Sequence, residues 1–260
     1  MNYSHVGSGD SPDATGRAKA SRRRRRGRIV SIALIVIGVA LMVAGGSTIW
    51  SEHAEVAEQA AVAKKVTNDD GIVSLDKARD LTGCDAWIEI PGAGISLPVM
   101  QASKDDPDHW LRHDLDGNWT LAGTVFIDSR NTADSPSAII YGHHMQGIGG
   151  MFSNIHDVYE QDQFDAKVAP GAVWTTASGR HEMKALCSMR VYYTNQLVQE
   201  MDFDSTEALQ AWARKLVAAS SAHVDDTDGV ISGATHVVEA VCCSEMRAHQ
   251  PWRCVTVFVY

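Results

Sequence analysis

The last stretch of the chain decides the fold, and residues 237–260 read VVEAVCCSEMRAHQPWRCVTVFVY. Two runs rich in β-branched residues, Val237–Val241 and Val255–Val259, flank a polar connection. In the second run valine alternates with other side chains, which is the period of a β-strand with two different faces. Pro251 lacks a backbone N–H and favours a loop within the connection. The pattern therefore predicts two strands that pair antiparallel across this loop.

A cysteine ends the first of these strands, and an arginine begins the second. Antiparallel pairing would bring Cys243 and Arg253 together, although ten positions separate them in the sequence. A thiol beside a fixed cation loses its proton more readily and becomes a better nucleophile. A buried structural cysteine and a solvated arginine are the alternative for any such pair. Other features of the chain favour the catalytic interpretation.

Charge is distributed unevenly along the 260 residues, whose formal net charge is −9. Residues 1–28 hold eight Lys or Arg against two Asp, whereas the remainder holds 15 basic and 30 acidic residues. The first 20 residues are rich in Ser, Gly and Asp and have almost no large apolar groups. We therefore expect residues 1–28 to be a disordered basic segment on the cytoplasmic side of a membrane.

Residues 29–50 form an almost uncharged run, IVSIALIVIGVALMVAGGSTIW. As a helix rising 1.5 Å per residue, a run of this length spans a hydrocarbon core of roughly 30 Å. The preceding arginines favour a cytoplasmic amino terminus, and Trp50 suits the opposite interface. A cleaved signal peptide is the alternative, but its apolar core is normally shorter. We expect a single-pass anchor with an extracellular domain, and the arginine block is interpreted as a topology signal rather than a nucleic-acid site.

The exported part divides into a stalk or helical segment at residues 51–80 and a folded domain at residues 81–260. Its longest predicted helix is Ser205–Ala222, where Ser205 or Thr206 caps the first turn and Leu209, Trp212, Leu216 and Val217 share a face. The polar stretch 225–229 is predicted as a turn. Besides the two terminal strands, we predict short strands at 86–90, 95–100, 124–127, 138–141, 172–176 and 182–194. This pattern indicates a mostly β fold, a closed barrel of about eight strands with peripheral helices.

Five cysteines leave at least one unpaired thiol in an exported domain, unless it pairs with another chain. Cys187 lies in the middle of a predicted strand and is most simply a core residue. The sequence contains neither a CxxC…CxxC nor an HExxH spacing, and its eleven histidines are scattered. We therefore predict no metal site and no cofactor.

A histidine follows the predicted strand at 138–141, in the sequence Gly142-His143-His144. This position would set the His143 imidazole at a sheet rim, where it can meet groups from other strands. A Cys/His pair is a standard means of activating a nucleophile, and an arginine can stabilise an oxyanion. A loop histidine without a role is the alternative interpretation.

Several segments of the chain resemble those of sortases, the membrane-anchored cysteine transpeptidases of Gram-positive cell surfaces. The segments that carry the resemblance are IIYGHHM, GGMFSNI and CCSEMRAHQPWRCVTVFVY. WIEIPGAGISLPVMQ and HDLDGNWTLAGTVFIDSRN are similar to class B members in particular. The resemblance covers roughly residues 84–260 and implies a sortase-like β-barrel.

The resemblance also implies roles for individual residues. His143 matches the family histidine, Cys243 the nucleophile, and Arg253 the arginine that precedes the last strand. The family pattern Thr-Leu-x-Thr-Cys keeps only its final cysteine here, so Cys242 replaces a threonine. Cys243 is preferred to Cys242 because of its spacing to Arg253 and because adjacent strand residues face opposite sides. Possible auxiliary residues are Glu245, Cys242 and His144.

A sortase would cleave a sorting signal near the carboxyl end of an exported protein and form a thioester on Cys243. An amine of a peptidoglycan precursor or of a pilin would then accept the acyl group. The resemblance requires no metal, and no acidic cluster in the sequence indicates calcium. One alternative is a cysteine peptidase that hydrolyses the same intermediate. Another is a non-catalytic, surface-anchored binding or scaffold protein.

Overall fold

The computed structural model describes residues 14–145, 147–244 and 250–260. The described residues fall into two compact units, one up to Trp50 and one from Ser51 to Tyr260. They form five α-helices, of which the first, α1, runs over Ala14–Val66 and is the only one shared by the two units.

In the first unit, α1 carries the apolar run expected to be an anchor. Its described large apolar side chains are exposed, with Leu34 at 64%, Met42 at 69% and Trp50 at 78%. The described part of the chain holds one helix long and apolar enough to cross a membrane, the portion Val30–Val66. An 18-residue stretch of this portion has a mean hydropathy of 2.4. This helix is compatible with a single-pass anchor, because lipid rather than water would then cover its side chains.

In the second unit, the remainder of α1 packs onto the folded domain. Val62 and Val66 are buried, and the buried Glu52 carboxylate accepts hydrogen bonds from a distant loop. Its donors include Thr120 Oγ1 at 3.0 Å and the Ala122 backbone N at 2.8 Å. The segment expected to be a stalk is thus helical from residue 51 to 66 and lies against the domain.

The end of the segment expected to be a stalk or helical contains most of a second helix, α2, Leu75–Thr82. Ser74 caps its first turn by accepting a hydrogen bond from the Lys77 N–H, and Gly83 ends it in the left-handed conformation at φ 73°. Serine before a helix and glycine after it are the residues that favour these two conformations. The sequence therefore contains the signals for both ends of this helix, Ser74 and Gly83, but the helix between them has only eight residues.

The folded unit is built on a sheet of nine described strands: β1 Ala86–Ile90, β2 Ile95–Gln101, β3 Phe126–Ile127, β4 Ser137–Tyr141, β5 Ala172–Thr176, β6 Gly179–Tyr192, β7 Ala222–His223, β8 Val237–Cys243 and β9 Trp252–Val259. Their order is β5-β1-β2-β3-β4-β8-β9-β6-β7, and β5 also pairs with β6. This extra pairing closes eight strands into a barrel and leaves β7 on its margin. The predicted closed barrel of about eight strands is confirmed.

The length of β6 makes the closure possible. This strand has 14 residues, and its first part pairs with β5 while its second part pairs with β9. The register with β9 shifts between Ala185 and Cys187, at a bulge. A bulge bends a strand and increases its twist, which lets one strand serve both neighbours. Cys187 is fully buried, as predicted.

Three helices lie in the connections of the barrel: α3 Gln161–Lys167, α4 Thr206–Ala219 and α5 Thr227–Ser232. The long helix expected at 205–222 is α4, and Ser205 caps it by accepting a hydrogen bond from the Ala208 N–H at 3.2 Å. The buried face of α4 joins a core cluster on the outer side of the sheet, with members that include Leu209, Trp212, Leu216, Ile139 and Val257. The turn expected at 225–229 was wrong in part, since Asp226 caps α5 there.

One carboxylic acid is sealed into this outer cluster. Glu239, in the middle of β8 between Ile139 of β4 and Val257 of β9, has no exposed surface. Neither carboxyl oxygen has a hydrogen-bond partner in the described part of the chain. Burial raises the pKa of Glu239 well above its usual value, because a charge cannot be solvated there. The side chain is therefore a neutral acid in the folded chain.

Replacing this acid by its amide, Glu239→Gln, is expected to flatten the dependence of stability on pH. The pKa of Glu239 is raised in the folded chain, so above about pH 4.5 the unfolded chain loses this proton while the folded chain keeps it. Wild-type stability then falls as pH rises, by at most about 1.4 kcal/mol per pH unit. Urea unfolding of both proteins between pH 5 and 8 measures the difference in slope. The exposed Glu58→Gln is the control, and equal slopes for wild type and Glu239→Gln would contradict the burial argument.

Candidate active site

Three neighbouring strands, β4, β8 and β9, bring the predicted site residues to one rim of the barrel. In the antiparallel β8–β9 pair, Cys243 lies opposite Arg253. In the parallel β4–β8 pair, Tyr141 lies opposite Val241, and the Gly142 N–H continues the pairing by donating to the Val241 carbonyl at 3.0 Å. β4 ends at Tyr141, and extension of the same register by two residues would set His143 next to Cys243. β8 ends at Cys243, β9 begins next to Arg253, and β4 ends two residues before His143; we call these three residues the His–Cys–Arg row.

Strand alternation separates the two adjacent cysteines. Cys242 is buried in the barrel interior, in the cluster that holds Val238 and Ala240. Cys243 is half-buried and belongs to the opposite face, on which Val241 also lies. Because Arg253 faces Cys243 in the register, the thiol that shares a face with the guanidinium is that of Cys243.

The imidazole of His143 is held by the loop that precedes β3. Its Nε2 atom lies 3.0 Å from the Leu111 carbonyl oxygen and donates a hydrogen bond to it. No other hydrogen bond to this ring occurs among the described residues, so Nδ1 is the nitrogen available to a reacting group. Burial lowers the pKa of His143, and the positive charges of Arg112 and Arg253 lower it further.

Arg253 is oriented by backbone carbonyls and borders a cleft. Its Nη1 atom donates hydrogen bonds to the carbonyl oxygens of Gln250 at 2.7 Å and Trp252 at 3.1 Å. The cleft has a volume of about 260 Å³, and its walls combine apolar and acidic side chains: Pro107, Asp108, Leu111, Phe126, Asp128, Ser129 and Tyr141. Leu111 connects the cleft to His143, because this residue lines the cleft and its carbonyl oxygen accepts the hydrogen bond from His143. A chain lying in this cleft would approach the guanidinium at one end.

A polar network stiffens the wall of this cleft. The buried Asp128 carboxylate accepts hydrogen bonds from Arg130 Nε at 2.8 Å, Arg130 Nη2 at 2.6 Å and the Tyr141 hydroxyl at 3.0 Å. Arg130 also donates to Gln199 Oε1 at 2.7 Å. Burial raises the pKa of Asp128, but the hydrogen bonds and charge of Arg130 outweigh it and hold the pKa below its usual value. Burial and this carboxylate together raise the pKa of Tyr141.

The three possible auxiliary residues have different surroundings. Cys242 faces the barrel interior. His144 stacks on His156 with ring centroids 4.0 Å apart, and its buried Nδ1 has no hydrogen-bond partner among the described residues. Burial and the neighbouring His156 lower the pKa of His144. Glu245 lies outside the described residues. Within the described ranges, no three acidic, histidine or cysteine side chains are grouped as a metal site.

Three residues of this wall, Asp128, Arg130 and Tyr141, were not predicted from the sequence. Asp128 and Arg130 lie between the strands predicted at 124–127 and 138–141, and Tyr141 was predicted only as the end of the second strand. The one available signal was position, since Tyr141 precedes His143 by two residues and so shares its face. The contact between Asp128 and Tyr141 joins residues 13 positions apart, next to or within antiparallel strands. Only the pairing of those strands reveals it.

Replacing Asp128 by its amide, Asp128→Asn, is expected to lower the pKa of Tyr141 relative to wild type. Asparagine can still accept the hydrogen bond, but the negative charge that opposes ionisation of the phenol is gone. Alkaline absorbance titration measures the change, and Tyr141→Phe identifies the contribution of this tyrosine. The control is Asp134→Asn, because Asp134 instead binds Thr176 and Ser178. An unchanged Tyr141 titration in Asp128→Asn would refute the electrostatic role of Asp128.

Comparison with known proteins places this barrel among characterised folds. No protein-family profile matches the chain. A curated relative, sortase B of Listeria monocytogenes, is 28% identical over 180 residues, which are 65% of this chain and 70% of the relative. The crystal structure of Staphylococcus aureus sortase B is similar with a TM-score of 0.63 and 17% identity, covering 80% of this chain and 97% of that one. A sortase B solved in complex with triglycine has a TM-score of 0.66 and 17% identity, covering 80% and 96%.

The structural and the sequence comparisons support different conclusions about this chain. The solved structures, at this low identity, show the architecture, while the curated relative shows similarity in the sequence itself. Both agree with the segments that suggested class B sortases. The resemblance predicted from the sequence is therefore confirmed: this chain is similar in sequence to a sortase B and has the fold of the solved sortase B structures.

Proposed function

We propose that the chain is a cysteine transpeptidase that cleaves a sorting signal near the carboxyl end of exported proteins. The observation that carries this proposal is the strand register, which pairs Cys243 with Arg253 and ends β4 two residues before His143, while Arg253 borders a cleft. The homology to sortase B supports the same reaction class. The roles of the individual residues are inferences from this geometry and from the sequence resemblance.

The first half of the reaction forms a thioester. The Cys243 sulfur attacks the carbonyl carbon of the scissile peptide bond, and the carbonyl oxygen becomes an oxyanion. Arg253 stabilises this charge, since its guanidinium lies on the same face as the sulfur and at the end of the cleft. The imidazolium of His143 then protonates the departing amine, and the C–N bond breaks. The acyl group remains on Cys243, and the carboxyl-terminal fragment leaves.

The second half of the reaction transfers the acyl group to an amine. His143 is now neutral and removes a proton from the incoming amine, whose nitrogen attacks the thioester carbon. The C–S bond breaks, and the Cys243 thiolate is regenerated. One similar sortase B was solved with triglycine, a peptide that has a free amino group. By analogy, we propose an amine of a peptidoglycan precursor as the acceptor, with a pilin amine as the second candidate.

The proposed topology follows from charge and from the apolar helix. The helix over Val30–Val66 is compatible with one membrane crossing, and the arginines at 22–26 precede it. Positive residues flank the cytoplasmic end of a span, so the amino terminus is proposed to be cytoplasmic and the barrel extracellular. This topology would place the enzyme where exported proteins emerge and where wall precursors carry free amines.

Incubation with candidate sorting peptides is expected to produce a thioester on Cys243. Residues 51–260, which form one compact unit, are mixed with each peptide and analysed by intact-protein mass spectrometry. The adduct should form on wild type and be absent from Cys243→Ala. Arg253→Ala is expected to slow its formation by about 10²–10³-fold, as the loss of an oxyanion donor does in other enzymes.

The matched control is Cys242→Ala, which alters the neighbouring thiol and should keep the adduct. If Cys242→Ala alone abolished the adduct, the nucleophile would be Cys242 instead. A thioester that forms but passes only to water, in the presence of every amine tried, would favour the cysteine peptidase. Absence of any adduct across a broad peptide library would favour a binding or scaffold protein.

The rate of acylation is expected to have a bell-shaped dependence on pH, whose acidic limb lies below pH 6.5. The pKa of His143 is lowered from 6.5, so loss of activity by protonation of the Cys–His pair begins only at lower pH. The charge-removing variant Arg112→Gln should raise the pKa of His143 and move this limb upward. Stopped-flow measurement of peptide cleavage gives the profile, and Arg79→Gln is the control. A rate independent of pH through both limbs would contradict an acid–base role for His143.

A further inference from the structure

A second pair of reactive groups lies directly behind the proposed catalytic pair. Cys242 of β8 and Cys254 of β9 face each other in the register, one rung before Cys243 and Arg253. Both are buried in the barrel interior, with exposures of 3% and 0%. All five cysteines are described, and these are the two that face each other across a strand pair. The reaction proposed above uses neither of them.

The backbone geometry of this rung suits a covalent bond. The Ser244 N–H donates to the Trp252 carbonyl one pair beyond the Cys243 rung, so alternate pairs, including Cys242 with Cys254, are of the hydrogen-bonded type. Such pairs have Cα atoms about 5.5 Å apart, inside the range of about 4.4–6.8 Å that disulfides require. The side chains of opposed residues point to the same face of the sheet. The two sulfurs therefore meet without movement of the strands past each other.

The surroundings distinguish the two thiols chemically. The Cys254 sulfur lies 3.6 Å from the Ser188 hydroxyl oxygen, and Cys242 is the residue opposite it in the strand pair. Burial raises the pKa of Cys254, but hydrogen bonds from Cys242, Ser188 and Thr256 outweigh it, and the net pKa is lowered. The hydrogen bond to Cys254 and burial raise the pKa of Cys242. Cys254 is thus the member of the pair that is better able to act as a thiolate.

We propose that Cys242 and Cys254 are a redox modification site, which closes into a reversible disulfide behind the His–Cys–Arg row. The oxidant is a small-molecule disulfide. The Cys254 thiolate attacks one of its sulfurs, forms a mixed disulfide and releases one thiol. The Cys242 thiol passes its proton to solvent, attacks the Cys254 sulfur and releases the second thiol. Two protein thiols lose two electrons in total, and the small disulfide is reduced to two thiols.

Closure of this bond acts on the neighbouring rung. A disulfide fixes the two sulfurs about 2.05 Å apart, which is closer than any non-bonded contact of two thiols. The next pair along the same two strands is Cys243 and Arg253, so contraction of one rung changes the spacing of the other. A displacement of about 1 Å in a catalytic site can reduce a rate by about 100-fold. This consequence rests on the proposed function, whereas formation of the disulfide does not.

The disulfide is tested first without any reference to activity. The full chain in detergent, carrying Cys243→Ala, is treated with oxidised glutathione under a low concentration of urea that lets the buried pair open. Intact mass should fall by two hydrogen atoms, and a tryptic peptide starting at Cys254 should be cross-linked to the one holding Cys242. Adding Cys254→Ala or, separately, Cys242→Ser should abolish the cross-link. A stable glutathione adduct, or no change in mass, would overturn the proposal.

The effect on catalysis is tested on the chain with an intact Cys243. After the same oxidation, wild type is expected to lose at least about tenfold more transpeptidation rate than Cys254→Ala, as the disturbed row requires. Dithiothreitol should restore the wild-type rate. Equal losses in the two proteins would show that oxidation acts on Cys243 itself and would overturn the regulatory effect. A cross-link in a chain with no activity at all would refute the proposed function and leave the disulfide standing.

Discussion

The register of three adjacent strands is the constraint on which the rest of this molecule depends. Parallel pairing of β4 with β8 and antiparallel pairing of β8 with β9 align residues whose sequence separations are 100 and 10. A slip of one residue in either pair would turn a member of the row to the other face, because side chains alternate.

The central strand β8 holds three titratable side chains, although almost all of its residues are buried. Glu239 is a neutral acid on its outer face, Cys242 is a thiol on its inner face, and Cys243 is the half-buried terminus. Burial away from water keeps the Glu239 carboxyl and the Cys242 thiol in their uncharged forms. The strand is therefore both the scaffold of the barrel and the main source of its chemistry.

The cleft beside the row is organised by connections rather than by strands. The loop before β3 supplies the Leu111 carbonyl that holds His143, and the residues after β3 supply Asp128 and Arg130. Glu52 of α1 holds the end of the first loop by accepting hydrogen bonds at 120–122. A helix that begins before the folded unit thus steadies a loop at the site. Glu52 therefore connects residues 51–66 of α1 to the loop whose Leu111 borders the cleft.

The sequence by itself determined the elements with strong local signals and the residues that carry chemistry. Alternation in residues 255–259 indicated β9, the serine before 206 indicated α4, and the segments around His143, Cys243 and Arg253 resembled sortases. Short elements were misplaced: α5 was expected to be a turn, and β3 is shorter than expected. Elements of two to eight residues have too little periodicity to outweigh tertiary packing.

Only the tertiary structure decided which groups share a face and which are buried together. The pairing of Cys242 with Cys254, the isolation of Glu239 and the bond from Tyr141 to Asp128 all depend on neighbours from distant parts of the chain. A local pattern specifies the period of a strand but not its partner, because the partner is chosen by the burial of the whole barrel. The pairing of Cys243, rather than Cys242, with Arg253 is therefore a property of the closed sheet.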